Sequence, residues 1–399
     1  MESAEISGRL LAYARNFDHA AILHSHSFPD PYGRWEWLAG FGVAEAFTQP
    51  GEVEASGTLK FGFISYDLKN QYEKLSSKHD AAVAVPDFWF FEPRQWIGKL
   101  RNGEICGNLA LHALPAAEKD ALPTCQPIHW QACTGREQYL HSVARIRECI
   151  AAGDFYEMNH CIQFEAETEL DPFTAFSRLQ MTAPAPFSAF YKFGGKYLLC
   201  SSPERFLRKQ GEWLISQPIK GTRRRQPTRE ADMQAVAELY NSQKERAENT
   251  MIVDLVRNDL SHVCRNGSVT VPELCGIHSF SHVHQMISTV TGRLLPGKSL
   301  NDILAASFPM GSMTGAPKIE VMQDTERFEN FRRGWYSGSA GYWENGDFDL
   351  NVVIRSLQYD QALQKLVYNV GSAITYDSVA EEEFQECMDK AAGILAALQ

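Results

Sequence analysis

The chain has 399 residues and a formal net charge of −11, with 44% hydrophobic and 22% charged residues. This composition is ordinary for a soluble globular protein, and the negative charge argues against a surface for nucleic acid or anionic membranes. No apolar stretch approaches the length of a membrane span.

The first ten residues carry no apolar segment typical of a secretion signal, so we expect a cytoplasmic location. The nine cysteines are odd in number and form no C-x-x-C pair. That pattern favours reduced thiols over a disulfide framework or a zinc site.

The predicted elements follow one another in mixed order. Strand-like runs at 59–66 and 87–91 precede a connector rich in proline and alanine at 114–127. After it come a helix at 136–152, strands at 155–165 and 189–200, a long charged helical region at 230–256, strands at 281–294, 337–343, 352–359 and 366–369, and a closing helix at 379–398. Because strands and helices do not alternate strictly, the order favours an α+β fold with antiparallel sheets.

One short motif contains a candidate nucleophile. Residues 218–225 read PIKGTRRR, and Lys220 lies between Pro218, which fixes the backbone, and Gly221, which loosens it. Three arginines follow, and nearby positive charge disfavours the ammonium form, so we expect a lowered pKa for Lys220. A neutral lysine amine can attack carbon. Taken alone, the run favours a basic turn with a solvated lysine, because basic turns are common and perturbed lysines are rare.

Acidic residues on two helices form a candidate metal site. Glu383, Glu386 and Lys390 lie at i, i+3 and i+7 of the closing helix and share one face. Two carboxylates one turn apart can bind Mg²⁺, and Glu248 on the earlier helical region could complete the site. The alternative is a solvated acidic face with an ordinary Glu386–Lys390 helical pair.

Two segments of small residues, 311–318 and 371–373, are predicted turns whose backbone N–H groups could hold an anion. His278, His282 and His284 lie in an alternating segment without a matching carboxylate or cysteine pattern. We therefore interpret the histidines as structural polar residues rather than metal ligands.

Together these segments resemble the chorismate-utilising enzyme family. The matching blocks occur in the family's order at 202–206 (SPERF), 218–225 (PIKGTRRR), 248–260 (ENTMIVDLVRNDL), 288–294 (STVTGRL), 308–318 (FPMGSMTGAPK), 354–355 and 370–390. The resemblance implies one α+β unit in which two large antiparallel β-sheets pack face to face with flanking helices. It also implies that residues 131–399 form the chorismate-binding catalytic domain and that 1–130 form the variable N-terminal part.

Within the family, the PIKGT run resembles the aminodeoxychorismate synthases, whose lysine adds covalently to the chorismate ring. Anthranilate synthases carry alanine at that position, and isochorismate-type members place a water-activating lysine where this chain has Glu157. The histidine that the family associates with pyruvate elimination is Gln285 here, beside His284. The resemblance thus implies conversion of chorismate and ammonia to 4-amino-4-deoxychorismate, on the route to 4-aminobenzoate and folate. Component I of anthranilate synthase and a non-catalytic partner that binds chorismate or tryptophan are the alternatives.

The resemblance also implies roles for individual residues. Lys220 is the expected nucleophile and Glu204 the general acid, while Glu248 and Glu386 hold Mg²⁺ and Glu383 acts through water. The expected substrate contacts are Arg355, Tyr336, Gly371, Ser372, Ala373, Gly221, Thr222, Ser312 and Lys390. Ammonia is expected from a separate glutamine amidotransferase subunit.

Overall fold

The computed structural model describes residues 2–116, 128–280, 283–395 and 398. The described α-helices are α1 (Glu2–Ala14), α2 (Pro50–Val53), α3 (Lys69–Tyr72), α4 (Arg136–Ala152), α5 (Pro172–Thr182), α6 (Arg229–Asn241), α7 (Gln243–Ser261), α8 (Leu300–Ser307), α9 (Lys318–Phe328) and α10 (Ala380–Leu395). The described strands are β1 (His19–His24), β2 (Trp35–Phe47), β3 (Lys60–Ile64), β4 (Phe88–Leu100), β5 (Ile105–Gly107), β6 (Gln131–Ala132), β7 (Glu157–Glu167), β8 (Phe187–Phe193), β9 (Lys196–Ser202), β10 (Arg205–Gln210), β11 (Trp213–Gln217), β12 (Ile219–Arg224), β13 (Thr270–Ser279), β14 (Val283–Arg293), β15 (Gly315–Ala316), β16 (Ser339–Glu344), β17 (Asp347–Asn351), β18 (Ser356–Asp360) and β19 (Lys365–Ile374).

Antiparallel pairing joins the 19 described strands into a single sheet. From one end, the order is β7, β19, β18, β9, β8, β1, β2, β4, β3, β16, β17, β10, β11, β14 and β13. β12 pairs with β14 beside β11, and the two-residue β15 pairs with β7. Strands from the N-terminal part therefore lie in the middle of the sheet.

The sheet folds so that two of its parts face each other. Trp89 on β4 and Phe193 on β8 are separated within the sheet by β2 and β1, yet their ring centroids are only 4.8 Å apart. Phe63 on β3 likewise meets Tyr191 on β8 edge-on at 6.1 Å. The predicted α+β class with facing antiparallel layers is confirmed, and the two layers are parts of one hydrogen-bonded sheet.

Helices pack against the sheet and form two hydrophobic cores with its strands. α4 buries Tyr139, Val143 and Ile146 at helical spacing, within the same core as Cys387 and Ala391 of α10. α7 and α8 pack into a second core with residues of β10, β11, β14 and β17. α7 and α10 thus pack into different hydrophobic cores.

Several predicted elements differ from the observed ones. The helix predicted at 136–152 is confirmed in full, but the strand predicted at 189–200 is the hairpin β8–β9, which turns at Gly194 and Gly195. The long helical region is two helices, because Ser242 caps α7 by accepting a hydrogen bond from the backbone of Glu245. The strand predicted at 352–359 begins only at Ser356.

Hydrogen bonding crosses the predicted boundary near residue 130. β1 pairs with β8 and β3 pairs with β16, so both sides of the boundary share one sheet. Residues 117–127 of the predicted connector lie outside the described residues, as do 281 and 282, which include His282. Among the described helices, none combines the length and hydropathy that crossing a bilayer requires.

Candidate active site

Lys220 projects from β12 towards two carboxylates that come from distant parts of the chain. Its Nζ lies 3.0 Å from Oε1 of Glu157 on β7 and 3.9 Å from Oε2 of Glu248 on α7. The Lys220 side chain is 11% exposed and that of Glu157 only 1%. The structure therefore brings the predicted Lys220 and Glu248 together and adds Glu157.

The predicted lowering of the Lys220 pKa is wrong. Burial alone would favour the neutral amine, but the attraction of Glu157 and Glu248 outweighs it and raises the pKa of Lys220 well above its ordinary value. The arginines expected to act in the opposite sense bind elsewhere. Arg223 lies 3.4 Å from the carboxylate of Glu245 on α7. Arg225 lies 2.7 Å from the carboxylate of Asp232 on α6.

Glu204, the predicted general acid, is buried in the turn between β9 and β10. The hydroxyl of Ser312 donates a hydrogen bond of 2.7 Å to its Oε1, so the structure also brings these two predicted residues together. Burial raises the pKa of Glu204 to about 7, against the smaller opposing effects of Ser312 and Lys220. A substantial protonated fraction near neutral pH is what a general acid needs.

The carboxylates of α7 and α10 share a lysine that the sequence analysis did not select. Nζ of Lys244 lies 3.4 Å from Oε1 of Glu383 and 4.0 Å from Oε1 of Glu248. One turn along α10, Glu386 and Lys390 form an ion pair of 2.6 Å. Burial acts to raise the pKa of Glu386, but the charge of Lys390 outweighs it and lowers that pKa below its ordinary value.

The donors at this position fit a hard divalent cation. The described residues contain no preassembled group of three or more His, Cys, Asp or Glu side chains that could hold a metal ion. However, Oε1 of Glu248 is buried without a hydrogen-bond partner, and burial raises the pKa of Glu248 to about 7. An unpartnered carboxylate oxygen close to a second carboxylate suits Mg²⁺. Lys244 now lies beside both Glu248 and Glu383, and its side chain is 55% exposed, so it can move out towards solvent.

Arg355 presents a guanidinium to the same region. It lies between β17 and β18 with a backbone φ of 50°. Its carbonyl accepts a hydrogen bond from the backbone of Ser201, but its guanidinium has no hydrogen bond or ion pair with any residue that the structure describes. Burial lowers the pKa of Arg355, while Tyr368 and Glu204 act in the opposite direction. A partly buried guanidinium without a protein partner is suited to bind a carboxylate of a ligand.

The segment 371–373 is not the predicted turn, because it lies within β19 and pairs with 159–161 of β7. β19 pairs with β18 only as far as Tyr368, so among the described strands the other edge of 371–373 has no partner. Nζ of Lys390 donates a hydrogen bond of 3.0 Å to the carbonyl of Gly371. Backbone groups along this open edge can still meet a ligand.

Two predicted substrate contacts have side chains that are occupied within the protein. Ser372 is 1% exposed and its hydroxyl lies 2.8 Å from that of Tyr139. The hydroxyl of Tyr336 lies 3.9 Å from Sγ of Cys161, and Tyr336 is 3% exposed. Any contact of Ser372 with a ligand is therefore through its backbone.

Gly221 allows the close approach of helices α6 and α7 to β12. Its φ is +85°, and a Cβ there would lie 2.9 Å from Oε2 of Glu245 and 3.0 Å from Leu239. The left-handed backbone favours glycine, and a Cβ there would require the side-chain ends of Glu245 and Leu239 to shift.

Gln285 and His284 point to opposite faces of β14 because they are adjacent in a strand. Gln285 pairs in register with Thr222 of β12, and its buried Nε2 has no hydrogen-bond partner. His284 instead lies 2.9 Å from Oδ1 of Asp232 on α6, and His278 contacts Glu273. These two described histidines are thus engaged with nearby carboxylates.

Sequence reasoning selected neither Glu157 as the partner of Lys220 nor Lys244. A glutamate at the start of an otherwise buried strand was a usable signal for the first, because charged side chains are rarely fully buried unless paired. No local pattern distinguishes Lys244, since its role arises from the approach of α7 to α10.

A family model described as "chorismate binding enzyme" matches residues 19–396. Aminodeoxychorismate synthase component 1 of Salmonella typhimurium is 35% identical over 347 residues, which cover 85% of this chain and 76% of that protein. An aminodeoxychorismate synthase of Streptomyces griseus is 44% identical over 266 residues, which cover 66% of this chain but only 36% of that longer protein. The crystal structure of anthranilate synthase component I from Streptococcus pneumoniae superposes with a TM-score of 0.79 at 25% identity, covering 93% of this chain and 94% of that one.

Proposed function

Because this chain belongs to the family of chorismate binding enzymes, we propose that it aminates chorismate at C4 to give 4-amino-4-deoxychorismate. The observation that carries the proposal is the position of Lys220, whose amine lies among Glu157, Glu248 and the general-acid candidate Glu204. A lysine in the centre of such a site is suited to covalent catalysis rather than to surface charge.

Chorismate carries two carboxylates and an allylic hydroxyl at C4. In the proposed complex, Arg355 binds the enolpyruvyl carboxylate, helped by the open edge of β19 at 371–373 and by Tyr336 near Cys161. Lys390 offsets charge at the ring carboxylate, and Gly221 and Thr222 lie beside the ring. A guanidinium can hold a carboxylate through two parallel hydrogen bonds, which fixes the orientation of the substrate.

The proposed reaction has two substitutions. After the ammonium of Lys220 loses a proton to solvent, its amine forms a bond to C2, both conjugated ring double bonds shift by one bond, and Glu204 protonates the C4 hydroxyl so that it leaves as water. Ammonia then attacks C4, both double bonds shift back, and the Lys220–C2 bond breaks with its electron pair returning to nitrogen. The new C4 ammonium gives a proton to Glu204, which restores the acid.

Glu248 and Glu386 would hold Mg²⁺ directly, and Glu383 through water. When bound there, Mg²⁺ supplies positive charge for the ring carboxylate and for the charge that develops as the C4–O bond breaks. The buried, unpartnered oxygen of Glu248 supports this assignment.

The ammonia is proposed to come from a separate glutamine amidotransferase, and the word "component" in the name of the Salmonella relative supports a second subunit. The test is to incubate the purified chain with chorismate, Mg²⁺ and an ammonium salt, and to identify the product by mass and NMR. We expect 4-amino-4-deoxychorismate. Formation of anthranilate would assign the other activity of the family, and unchanged chorismate would indicate a non-catalytic binding partner.

A further inference from the structure

We propose that Glu157 is a positioning residue that holds the amine of Lys220 in its attacking orientation by accepting a hydrogen bond from it. The inference rests on the proposed function and deepens it. Oε1 of Glu157 lies 3.0 Å from Nζ of Lys220, within hydrogen-bond distance. The next carboxylate, Glu248, is 3.9 Å away and too far for a hydrogen bond. Glu157 therefore sets the position of the amine.

The backbone of Glu157 is fixed from two sides. β7 pairs with β19 from Met158 to Glu167, and Glu157 itself pairs with Ala316 of β15. Gly315 has a φ of +149°, and a Cβ there would overlap the carbonyl oxygen of Glu157. Only glycine permits this approach, so the loop that contains Ser312 and the strand that carries Glu157 are locked together.

The carboxylate of Glu157 is committed to Lys220. It is 1% exposed, and its second oxygen, Oε2, is buried without a hydrogen-bond partner among the described residues. No donor in the described part of the chain draws the carboxylate away from the amine. A rigid acceptor of this kind is worth more for orientation than a solvated one, because it needs no rearrangement when the substrate arrives.

The same contact serves the neutral amine. A neutral lysine nitrogen has two N–H donors and one lone pair in roughly tetrahedral arrangement. When one N–H points at Glu157, the lone pair points away from that carboxylate, and rotation about the last bond of the side chain is restricted. The hydrogen bond can therefore persist while the nitrogen attacks C2.

Without this acceptor, Lys220 would have Glu248 as its nearest carboxylate. Glu248 is the residue proposed to hold the metal ion, so an amine bonded there would lie away from its attacking position and compete with the cation. The role of Glu157 is thus to keep the nucleophile and the metal carboxylate apart.

The experiment follows the covalent adduct on Lys220 in the full chain, with Mg²⁺ and chorismate and without ammonia, by rapid quench and intact-protein mass spectrometry. Glu157→Met fills the space of the side chain without a carboxylate, Glu157→Ala removes it, and Glu157→Gln keeps an oxygen acceptor. Glu165→Ala is the matched control, since Glu165 lies on the same strand and forms an ion pair of the same length, 3.0 Å, with Lys365.

We expect Glu157→Met and Glu157→Ala to form the adduct about 100-fold more slowly, since a displaced reacting group costs on that order in rate. Glu157→Gln should stay within about tenfold of wild type because the acceptor remains, and Glu165→Ala should match wild type. In a separate turnover assay with an ammonium salt, the loss should fall on kcat, with KM for chorismate nearly unchanged. A crystal structure of Glu157→Met should show Nζ of Lys220 moved towards Glu248.

Adduct formation at the wild-type rate in Glu157→Met, or an equal loss in Glu157→Gln and Glu157→Met, would overturn the inference alone. A wild-type chain that forms neither the adduct nor an aminated product would overturn the proposed function, and the inference with it.

Discussion

At the residue level, each lysine of the site lies beside a carboxylate. Lys220 contacts Glu157, and Lys390 contacts Glu386. Lys244 on α7 lies beside Glu383 of α10. These pairs leave little free positive charge for a dianionic substrate. In the proposed complex, binding exchanges some of these ion pairs for contacts to the substrate and Mg²⁺. The guanidinium of Arg355 has no described partner and can bind the substrate without such an exchange.

Replacement of Lys220 by alanine tests the covalent step directly. Lys220→Ala removes the nucleophile but leaves Arg355 and Glu204 in place, so chorismate should still bind. Amination should fall about 10³-fold or more, as expected when a covalent nucleophile is lost, and the adduct seen by mass spectrometry in wild type should be absent. Lys365→Ala removes a lysine of similar ion pairing outside the site and should leave both readouts unchanged. Full C4 amination by Lys220→Ala would show that Lys220 acts only through its charge.

The pKa values of the site predict how adduct formation depends on pH. The pKa of Glu204 is raised to about 7 by burial, and its protonated form, present below that pH, is the proposed acid. Lys220 must be neutral, and its pKa is raised well above the ordinary value, so its reactive fraction grows about tenfold per pH unit. The rate should therefore rise up to about pH 7 and then level off, because the loss of acid above pH 7 cancels the gain in amine.

Measurements without ammonia avoid the separate titration of ammonium. A rate that keeps rising tenfold per unit beyond pH 8 would contradict the role of Glu204 as the acid.

The direction of the Lys220 pKa shift illustrates what a single sequence lacks at this scale. The motif showed three arginines next to Lys220 in the chain, whereas the structure places two carboxylates next to it in space. Glu157 is 63 positions away in sequence, so no local pattern connects it to Lys220. By contrast, the resemblance assigned both Ser312 and Glu204 to the site because both residues lie in recognisable motifs, and the structure places them 2.7 Å apart.

At the level of elements, the proposed metal ligands come from two helices that meet only through tertiary packing. Glu248→Gln on α7 and Glu386→Gln on α10 keep the shape of the side chain but remove a charged oxygen donor. Each should lower the affinity for Mg²⁺ in the presence of chorismate by about tenfold or more, measured by isothermal titration calorimetry. Glu381→Gln, on α10 but paired with Arg136 at the surface, is the control. Wild-type affinity in either site variant would remove that residue from the ligand set.

The irregular part of β12 that carries Lys220 depends on Gly221. Gly221→Ala must accept both a left-handed backbone and an overlap with Glu245 and Leu239, so we expect a loss of about 2 to 4 kcal/mol in the free energy of unfolding. Gly211 also has a positive φ, of +56°, but a Cβ added there has no atom within 4 Å. Gly211→Ala should therefore lower the free energy of unfolding by only about 1 to 2 kcal/mol. Denaturant unfolding of both variants separates the contact from the strain. Equal losses in the two variants would mean that the packing of α6 and α7 against β12 does not require glycine at residue 221.

Sequence patterns predicted elements best where one periodic segment makes one element. The apolar spacing of 136–152 gave α4 with its observed bounds. The patterns failed where a short signal divides a long run: Gly194 and Gly195 turn the chain between β8 and β9, and the cap at Ser242 separates α6 from α7. The segment 371–373 was predicted as a turn because its residues are small, but pairing with β7 makes it a strand.

At the level of the whole molecule, the N-terminal strands are an integral part of the sheet. Six residues of β1 pair with β8, and five residues of β3 pair with β16. The buried guanidinium of Arg205 on β10 binds both Asp30 from the N-terminal part and Asp349 from β17. The division at residue 130 stays a prediction, but these contacts give it a specific consequence.

A fragment that begins at residue 131 should not fold by itself. It would leave β8 and β16 as exposed edges, remove Phe63 and Trp89 from the layer that faces Tyr191, and leave the buried Arg205 without one of its two carboxylates. Breaking a buried pair of this kind costs about 3 to 5 kcal/mol, a large share of the typical stability of a domain. We expect fragment 131–399 to lack a near-ultraviolet circular dichroism signal and a cooperative thermal transition, and co-expression with residues 1–130 should restore both. If the fragment alone unfolds cooperatively and binds chorismate, residues 131–399 are an independent domain, and the shared sheet reflects docking between two units rather than one folding unit.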